Sequence, residues 1–533
     1  MLGLSQGPEV AAADGTRNRL AILLAMAMFV LVVDTSLMNV SISSVVRDLD
    51  TTVSGVQSAI ALEALVSAAL ILIGSKIGDL FGRKLAYELG LLGYAIGALS
   101  MTLAQSVLPI IIFWAIIGGI GASLLLPSMQ SLIHGNFDGA ARKRVYALVG
   151  ASAAIAAAVG PLIGGFITTY LSWRVGFALE VVVIAIVLSG RGLVRDVPYT
   201  GPRQVDVIGS ILSAVGMGGI VLGILVWQEG GEAVGAVIAT GVVGLAALAY
   251  WLVRRKRAGK PTLLDPELFS SKIFRLGITA QMLQQISLGG AMIALPIFLQ
   301  MVLEYNALST GLSIAPLSLS MFGIALLAGK RTGKRRPSLI ILGGFGLLTL
   351  GMVLLIPIVP RASSGWGLLI PLIVAGAGLG LLVSQLNNYT LSPIDEERVS
   401  EAAGVNSAAG SFGLSFGLAF AGAIMLATLS IAFTDMAKSS TVLPAEDKER
   451  VAQALEEDAQ LISNTQLEGL LSEQPTNVQT EIIRINTETR PLALQVALLV
   501  PILAGLIGFV NAFRMTRLPD PTPSESAETV LGG

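Results

Sequence analysis

Three acidic residues lie inside apolar stretches long enough to cross a membrane: Asp34, Glu63 and Glu180. Carboxyl groups inside a membrane are costly to bury and usually mark a pathway for protons or ions. At 1.5 Å of helical rise per residue, all three lie about 8–12 Å from the same membrane surface. Carboxyl groups at that depth can take up and release protons. We therefore predict a proton-exchange cluster, with the alternative that Glu63 and Glu180 only extend toward the aqueous interface.

Amide side chains are the second set of polar groups in the apolar stretches, and most of them lie in the second half of the chain. An amide donates and accepts hydrogen bonds without the cost of burying a charge, which suits a polar or amphipathic ligand. Each amide can equally serve as a hydrogen bond between neighbouring helices. The candidate substrate-binding residues are Asn39, Gln281, Gln284, Gln285, Gln385, Asn388 and Asn406.

Several kinds of chemistry are excluded by composition. The chain has no cysteine and one histidine, His134, which we place between helices 4 and 5, so metal sites built on thiolates or on several histidines cannot form. A nucleotide loop of the type Gly-x-x-x-x-Gly-Lys-Ser/Thr is absent from the sequence. The net charge of −1 argues against nucleic-acid binding. We predict no enzymatic activity, no cofactor and no metal.

Fourteen apolar stretches hold these polar groups in place. Of the 533 residues 53% are hydrophobic and 13% are charged, whereas about a quarter of the residues in soluble proteins are charged. Each stretch approaches or exceeds the ~20 residues that a helix needs to span a bilayer, and backbone groups in lipid must bond within their own segment. The predicted spans are 20–42, 56–77, 85–103, 107–129, 145–167, 175–193, 207–227, 233–253, 276–302, 311–328, 338–358, 367–389, 402–433 and 491–513.

Basic residues are concentrated in alternate loops, and this bias predicts orientation. Clusters occur at 83–84, 142–144, 254–257 and 330–336, which we assign to the cytoplasm together with both termini. The first stretch is too long for a signal peptide, so we expect it to remain as an anchor. Residues 434–490 form a long loop on the opposite side, with eleven acidic and five basic residues. We expect amphipathic helices there at 445–462 and 464–472, or else a solvated spacer.

A glycine-punctuated hairpin between helices 2 and 3 contains Gly78, Asp79, Gly82, Arg83 and Lys84. This pattern resembles the corresponding loop of the major facilitator superfamily of transporters, with a serine at position 75 where the family usually has glycine. The resemblance implies that the hairpin stabilises one end state of the transporter. Asp79 is suited to complement the positive N-terminus of an adjacent helix. The alternative is a basic turn that only sets topology.

Helix 5 carries a second motif, formed by Gly160, Pro161, Gly164 and Gly165. It resembles the antiporter signature of facilitator exporters. Proline bends a helix by removing a backbone donor, and glycines permit close helix contact, so this helix can control how two halves close. The alternative is a kinked helix that only packs.

Helix 1 contains Asp34-Thr35 and Asn39-Val40, which resemble the signature of the fourteen-spanner drug:proton antiporters of this superfamily. One residue departs from that pattern. The family usually has an arginine in helix 4 beside the helix-1 acid, and this chain has Ala115. Our hypothesis is that the proton site has been rebuilt around acids alone.

Together these patterns predict an all-α membrane protein with the major facilitator fold: 14 transmembrane helices in two six-helix bundles plus an inserted helix pair. The resemblance implies a secondary transporter that exports hydrophobic or amphipathic, preferably cationic, compounds in exchange for protons by alternating access. A lipid translocator of the same fold and a non-transporting sensor are the alternatives. We expect a small-molecule substrate, protons and membrane lipid as partners, and a monomer in a bacterial-type inner membrane. The predicted regions are a cytoplasmic tail at 1–19, a first bundle at 20–193, the inserted pair with linkers at 194–275, a second bundle at 276–513 including the outer loop, and a cytoplasmic tail at 514–533.

Overall fold

The computed structural model describes residues 8–137, 139–196, 206–228, 231–329, 336–394, 398–443, 448, 464–472 and 474–519. Within these residues, fourteen helices are long and apolar enough to cross a membrane. The predicted all-α membrane architecture is therefore confirmed. Residues 1–7 of the tail predicted at 1–19, residues 520–533 of the tail predicted at 514–533, and the basic residues at 330–335 lie outside the described residues.

The fourteen helices are numbered here in chain order. Two contain π-helical segments, Ile110–Gly118 in the fourth and Phe298–Val302 at the end of the ninth, and the last is interrupted by a turn at Leu498. Short 3₁₀ turns lie at Arg191–Leu193, Pro266–Ser270, Val359–Arg361 and Gly365–Leu368. The helices are α1 (Pro8–Asp48), α2 (Val53–Phe81), α3 (Arg83–Leu103), α4 (Val107–Asn136), α5 (Gly139–Tyr170), α6 (Trp173–Ser189), α7 (Val207–Gln228), α8 (Val234–Arg257), α9 (Lys272–Val302), α10 (Ala307–Gly329), α11 (Pro337–Ile358), α12 (Leu369–Leu391), α13 (Val399–Ser439) and α14 (Thr476–Met515).

The helices pack as two bundles with an added pair. Helices α1 to α6 form the first bundle and α9 to α14 the second, and the bundles meet where α2 packs against α13 and α5 against α10. The added helices α7 and α8 pack on each other, and α7 also contacts α2 and α13. A Cβ atom on Gly244 of α8 would lie only 2.9 Å from the Cα of Gly216 in α7. Small residues thus set the close approach of this pair.

Two ends of the molecule are distinguished below. The hairpin end is the one at which α2 and α3 meet at Gly82, and the α1–α2 end is the one at which residues 49–52 join α1 to α2. Because the helices are antiparallel neighbours, odd-numbered helices begin at the hairpin end and even-numbered helices begin at the α1–α2 end.

Several helices extend beyond the ends that the apolar stretches of the sequence predict for them. Helix α13 continues to Ser439 and α14 begins at Thr476, so both ends of the predicted loop at 434–490 are helical. Hydropathy registers only the part of a helix that lies in lipid, and these helices continue with polar residues beyond it. His134 also differs from the prediction, because it lies in the last turn of α4 instead of a loop.

The loop between α13 and α14 contains one described short helix, Asn464–Leu470. We call it the loop helix. It matches the helix predicted at 464–472, and it contacts α14. The helix predicted at 445–462 falls almost wholly outside the described residues.

The linker between α8 and α9 is tied to α13 by ionic contacts at the hairpin end. Asp265 pairs with Lys256 at 2.8 Å and with Arg398 at 3.0 Å, and its backbone N–H donates to Glu401. Partial burial raises the pKa of Asp265, but the hydrogen bonds from Lys256 and from the Glu267 backbone outweigh it and hold the pKa below its ordinary value. The aspartate is therefore ionised at neutral pH, and the linker stays attached to the second bundle.

Candidate functional site

Asp34 lies at the centre of the first bundle and is completely buried. The hydroxyl group of Tyr94, on α3, donates a hydrogen bond of 2.6 Å to one carboxylate oxygen. The indole N–H of Trp114, on α4, lies 3.1 and 3.2 Å from the two oxygens. Both neutral donors point at one carboxyl group, so the ionised form of Asp34 is stabilised without a positive charge.

The other two predicted acids lie around the same centre. The Glu180 carboxyl group, on α6, is buried beside Asp34, and neither of its oxygens has a well-oriented hydrogen-bond partner among the described residues. Glu63, on α2, is near enough to interact electrostatically with Asp34. All three acids interact electrostatically with the hydroxyl group of Tyr94. The structure therefore brings Asp34, Glu63 and Glu180 together as one cluster, with Tyr94 in its midst.

Ala115, which replaces the arginine expected from the family pattern, is buried next to Trp114 in the π-helical segment of α4. π-Helical turns often occur at functional sites. The Trp114 ring meets Phe177 edge-on at 6.5 Å, and Phe177 meets Trp173 at 6.1 Å. These aromatic rings separate the acid cluster from the α1–α2 end, where Arg174 pairs with Asp48.

A cavity of about 340 Å³ lies between the two bundles. Most of its lining side chains are aliphatic or methionine. Glu63 and Tyr94 reach it from the acid cluster, and Glu63 is the one charged residue that lines it in the described part of the chain. Asp34 and Glu180 are not among its lining residues, so Glu63 and Tyr94 connect the cavity to the buried acids.

Two of the predicted amides, Asn39 and Gln285, line this cavity. Their side-chain oxygens are buried and have no hydrogen-bond partner among the described residues. Asn406 instead donates to Asn387 at 2.7 Å and links α13 to α12. The remaining candidates, which are also not among the cavity's lining residues, are Gln281, Gln284, Gln385 and Asn388.

The hairpin forms an internal ionic cluster. Arg83 pairs with Asp79, and Lys76 lies 4.0 Å from the same carboxylate. A Cβ atom on Gly78 would lie 3.0 Å from the Arg83 side chain, and Gly82 has a φ of 107° that favours glycine.

The N-terminus of α3 is complemented by an acid other than the predicted one. The backbone N–H of Lys84 donates to Asp196 at 2.9 Å, whereas Asp79 is engaged by Arg83 and Lys76. Asp196 follows α6 and lies 112 residues from Lys84, so local spacing gave no sign of this contact.

The α5 motif lies between α1 and the second bundle. A Cβ atom on Gly160 would lie 2.7 Å from the Ser36 Cβ, and one on Gly164 would lie 2.9 Å from a backbone atom of α1. On the other side, a Cβ atom on Gly165 would lie 2.8 Å from the Cα of Leu308 in α10. Pro161 lines the cavity. The motif therefore lies where α5 approaches α10 of the other bundle closely.

Tyr94 and Trp114 are the site residues that the sequence analysis missed. They lie 60 and 80 residues from Asp34, and an aromatic residue in an apolar helix is usually a packing residue. One signal was available, since Trp114 directly precedes the residue that departs from the family pattern.

Comparison with known proteins agrees with this architecture. A family model described as Major Facilitator Superfamily matches residues 24–418. The puromycin resistance protein pur8 of Streptomyces alboniger is 30% identical over 413 residues, which cover 75% of this chain and 81% of that protein. The multidrug resistance protein Stp of Mycobacterium tuberculosis (strain CDC 1551 / Oshkosh) is 27% identical over 421 residues, 78% of this chain and 77% of its own.

Among solved structures, a bacterial homolog to the human lysosomal transporter Spinster, in an inward-facing and unoccupied conformation, superposes with a TM-score of 0.63. The identity is 14%, and the match covers 94% of this chain and 98% of that one, so it supports the fold alone. The family match over most of the sequence and the fourteen spanning helices lead to one conclusion. This chain belongs to the major facilitator superfamily, whose members are secondary transporters and not enzymes.

Proposed function

We propose that this transporter exports hydrophobic or amphipathic compounds, preferably cations, in exchange for protons. The observation that carries the proposal is the acid cluster of Asp34, Glu63 and Glu180, one member of which faces a mostly apolar cavity between the bundles. The names of the relatives, which refer to puromycin and to multidrug resistance, support a drug-like substrate.

The exchange would occur at Glu63. A lone carboxylate in an apolar cavity is costly unless a proton or a cation neutralises it. A lipophilic cation fits the cavity walls and neutralises Glu63, so it competes with the proton there. Tyr94 contacts both the cavity and Asp34, and it therefore links occupancy of the cavity to the buried pair of Asp34 and Glu180.

The orientation and assembly are part of the same proposal. The basic residues at the hairpin end favour a cytoplasmic location for that end and for both termini, in the membrane of a bacterial cell. A proton that enters from the α1–α2 end then gains about 2.3 kcal/mol per 100 mV of membrane potential. One chain supplies both bundles and the cavity between them, so a monomer surrounded by membrane lipid suffices for alternating access.

The experiment that tests the proposal compares Asp34→Asn and Glu63→Gln with wild type over a pH series in proteoliposomes. We expect each variant to slow proton-driven uptake of a lipophilic cation at least about tenfold, equivalent to about 1.4 kcal/mol in the barrier. Glu232→Gln is the matched control, because Glu232 is exposed in the α7–α8 loop. Wild-type rates for both cluster variants across the whole pH series would refute the proton-coupling role.

A further inference from the structure

Gln300 joins the two bundles at the α1–α2 end. It lies in the π-helical end of α9, and only 3% of its surface is exposed. Its side-chain oxygen accepts a hydrogen bond of 2.7 Å from the backbone N–H of Ser43, and its amide group donates to the backbone carbonyl of Asn39 at 3.2 Å. Both partners are on α1, so one side chain bonds twice to the opposite bundle.

These bonds can exist in only one end state of the transporter. When the α1–α2 end opens, α1 and α9 must separate, and water replaces both contacts. Asn39 also lines the central cavity, so Gln300 binds α1 next to the binding space. A buried amide with both of its polar groups bonded across the gap holds this end closed while the cavity is sealed from that side.

Arg490 of α14 supports the segment that carries Gln300. Arg490 is 2% exposed, and its guanidinium group donates to the carbonyl of Met301, the residue next to Gln300. It also donates to the carbonyl of Asn486 and to the side-chain oxygen of Asn464 in the loop helix. Carbonyls at the end of a helix lack intrahelical partners, and Arg490 supplies one for Met301. The position of Gln300 thus depends on α14 and the loop helix.

Glu304, two residues beyond this segment, is held by the loop helix. Glu304 has a φ of 53°, a conformation that non-glycine residues rarely adopt. Its carboxylate accepts hydrogen bonds from the backbone N–H and the hydroxyl group of Thr465, at 3.1 and 2.5 Å. The loop helix is therefore linked to the chain just after Gln300 at two points, to Met301 through Arg490 and to Glu304 through Thr465.

We propose that Gln300 is the latch that keeps the α1–α2 end closed, and that Arg490 is the positioning residue that holds the latch in place. The loop helix, through Asn464 and Thr465, is then a part of the gate. This proposal rests on alternating access, but not on protons or on the identity of the substrate.

The absence of native cysteine allows a direct test by single-cysteine labelling. Ser43→Cys reports on opening, because Ser43 is 2% exposed beneath the latch. Thr441→Cys, at an exposed position of the α13–α14 loop, identifies the membrane side from which a membrane-impermeant maleimide must be added. The measurement is the labelling rate of Ser43→Cys, without substrate and without a pH gradient.

We expect Gln300→Met to increase the labelling rate about tenfold, since it keeps the length of the side chain but loses two hydrogen bonds of ordinary strength. Arg490→Lys should increase the rate about threefold, because it keeps the charge but not the forked donor geometry. Gln300→Asn, which retains an amide on a shorter side chain, serves as a second latch variant if Gln300→Met is not folded.

Matched controls come from the same helix as Arg490. Gln495 donates to the Ile356 carbonyl within the second bundle, and Arg484 pairs with Glu481 and Glu488 on its own helix. Gln495→Met and Arg484→Lys should leave the Ser43→Cys rate unchanged. Labelling at the parent rate in folded latch variants, or equal acceleration by the controls, would overturn the proposal while leaving the proton-coupling proposal untouched.

Discussion

Asp34 receives its hydrogen bonds from two neutral side chains, Tyr94 and Trp114. An arginine at position 115 would add a permanent positive charge and favour the ionised carboxylate at all times. Neutral donors stabilise the carboxylate by a smaller amount, and they leave protonation to be decided by the neighbouring acids and by the cavity. The exchange of arginine for alanine at this position is therefore compatible with a working proton site.

The role of Tyr94 can be tested by removing its hydroxyl oxygen. Tyr94→Phe deletes the hydroxyl donor and keeps the ring that lines the cavity. Because a hydrogen bond to a charged group contributes about 1.5–3 kcal/mol, we expect proton-driven transport to fall about tenfold or more. The measurement is the initial rate of uptake into proteoliposomes under an imposed pH gradient.

Tyr87→Phe is the control for this prediction, since Tyr87 is equally buried on the same helix. It should transport at the wild-type rate. Equal rates for Tyr94→Phe and wild type would show that the hydroxyl group has no part in coupling.

The sequence predicted the three buried acids, but it did not predict which side chains surround them. A charged residue in an apolar stretch stands out because its cost in lipid is large. Tyr94 and Trp114 do not stand out, since their bonds to Asp34 depend on how α3 and α4 pack around α1. The amides show the same limit, because Asn39 and Asn406 have the same chemistry and only packing directs one to the cavity and the other to Asn387.

Helix α5 packs against helices of both bundles, so a movement of α5 can be transmitted from one bundle to the other. Its glycines contact α1 on one side and α10 on the other. Interfaces of small residues bring backbones together and leave no side chain to deform. A change in the angle of α5 therefore changes the distance between the bundles directly.

Two glycines of α5 allow a matched comparison. A Cβ atom on Gly165 would lie 2.8 Å from the Leu308 Cα, whereas one on Gly150 would meet nothing within 4 Å. We expect Gly165→Ala to destabilise the protein by about 1–3 kcal/mol through overpacking. Gly150→Ala should be neutral or stabilising by up to about 1 kcal/mol, because alanine favours the helix.

Thermal unfolding in detergent, followed by tryptophan fluorescence, measures both variants. A lower unfolding temperature for Gly165→Ala alone is the expected result. Equal unfolding temperatures for the two variants would contradict the close α5–α10 contact.

The helices themselves were largely predictable, and their ends were not. Apolar length identified all fourteen spans, because lipid leaves the backbone few alternatives to a helix. Helix α14 begins at Thr476, well before the predicted apolar stretch, and this extension was not predictable. Residues such as Arg490 in the extension are polar, and only tertiary contacts with α9 and the loop helix hold them in place.

The molecule as a whole combines a contact between the bundles at the α1–α2 end, a cavity between the bundles, and an acid cluster of which Glu63 alone lines that cavity in the described part of the chain. Such an arrangement makes the charge state of the cluster depend on what occupies the cavity. It also makes access to the cavity depend on contacts between the bundles, at α5 and at Gln300. In the function proposed above, proton binding and substrate binding are alternatives within one conformational cycle, which is the requirement for exchange.

Proton movement measured during transport tests this central claim most directly. Proteoliposomes with an acidic lumen and a trapped pH indicator receive a permanently charged lipophilic cation such as ethidium, which cannot carry protons itself. The account predicts that uptake of the cation raises the lumenal pH in wild-type vesicles, and that Asp34→Asn vesicles show neither change. Uptake that leaves the lumenal pH unchanged, and that continues at the same rate after the gradient is collapsed, would contradict it.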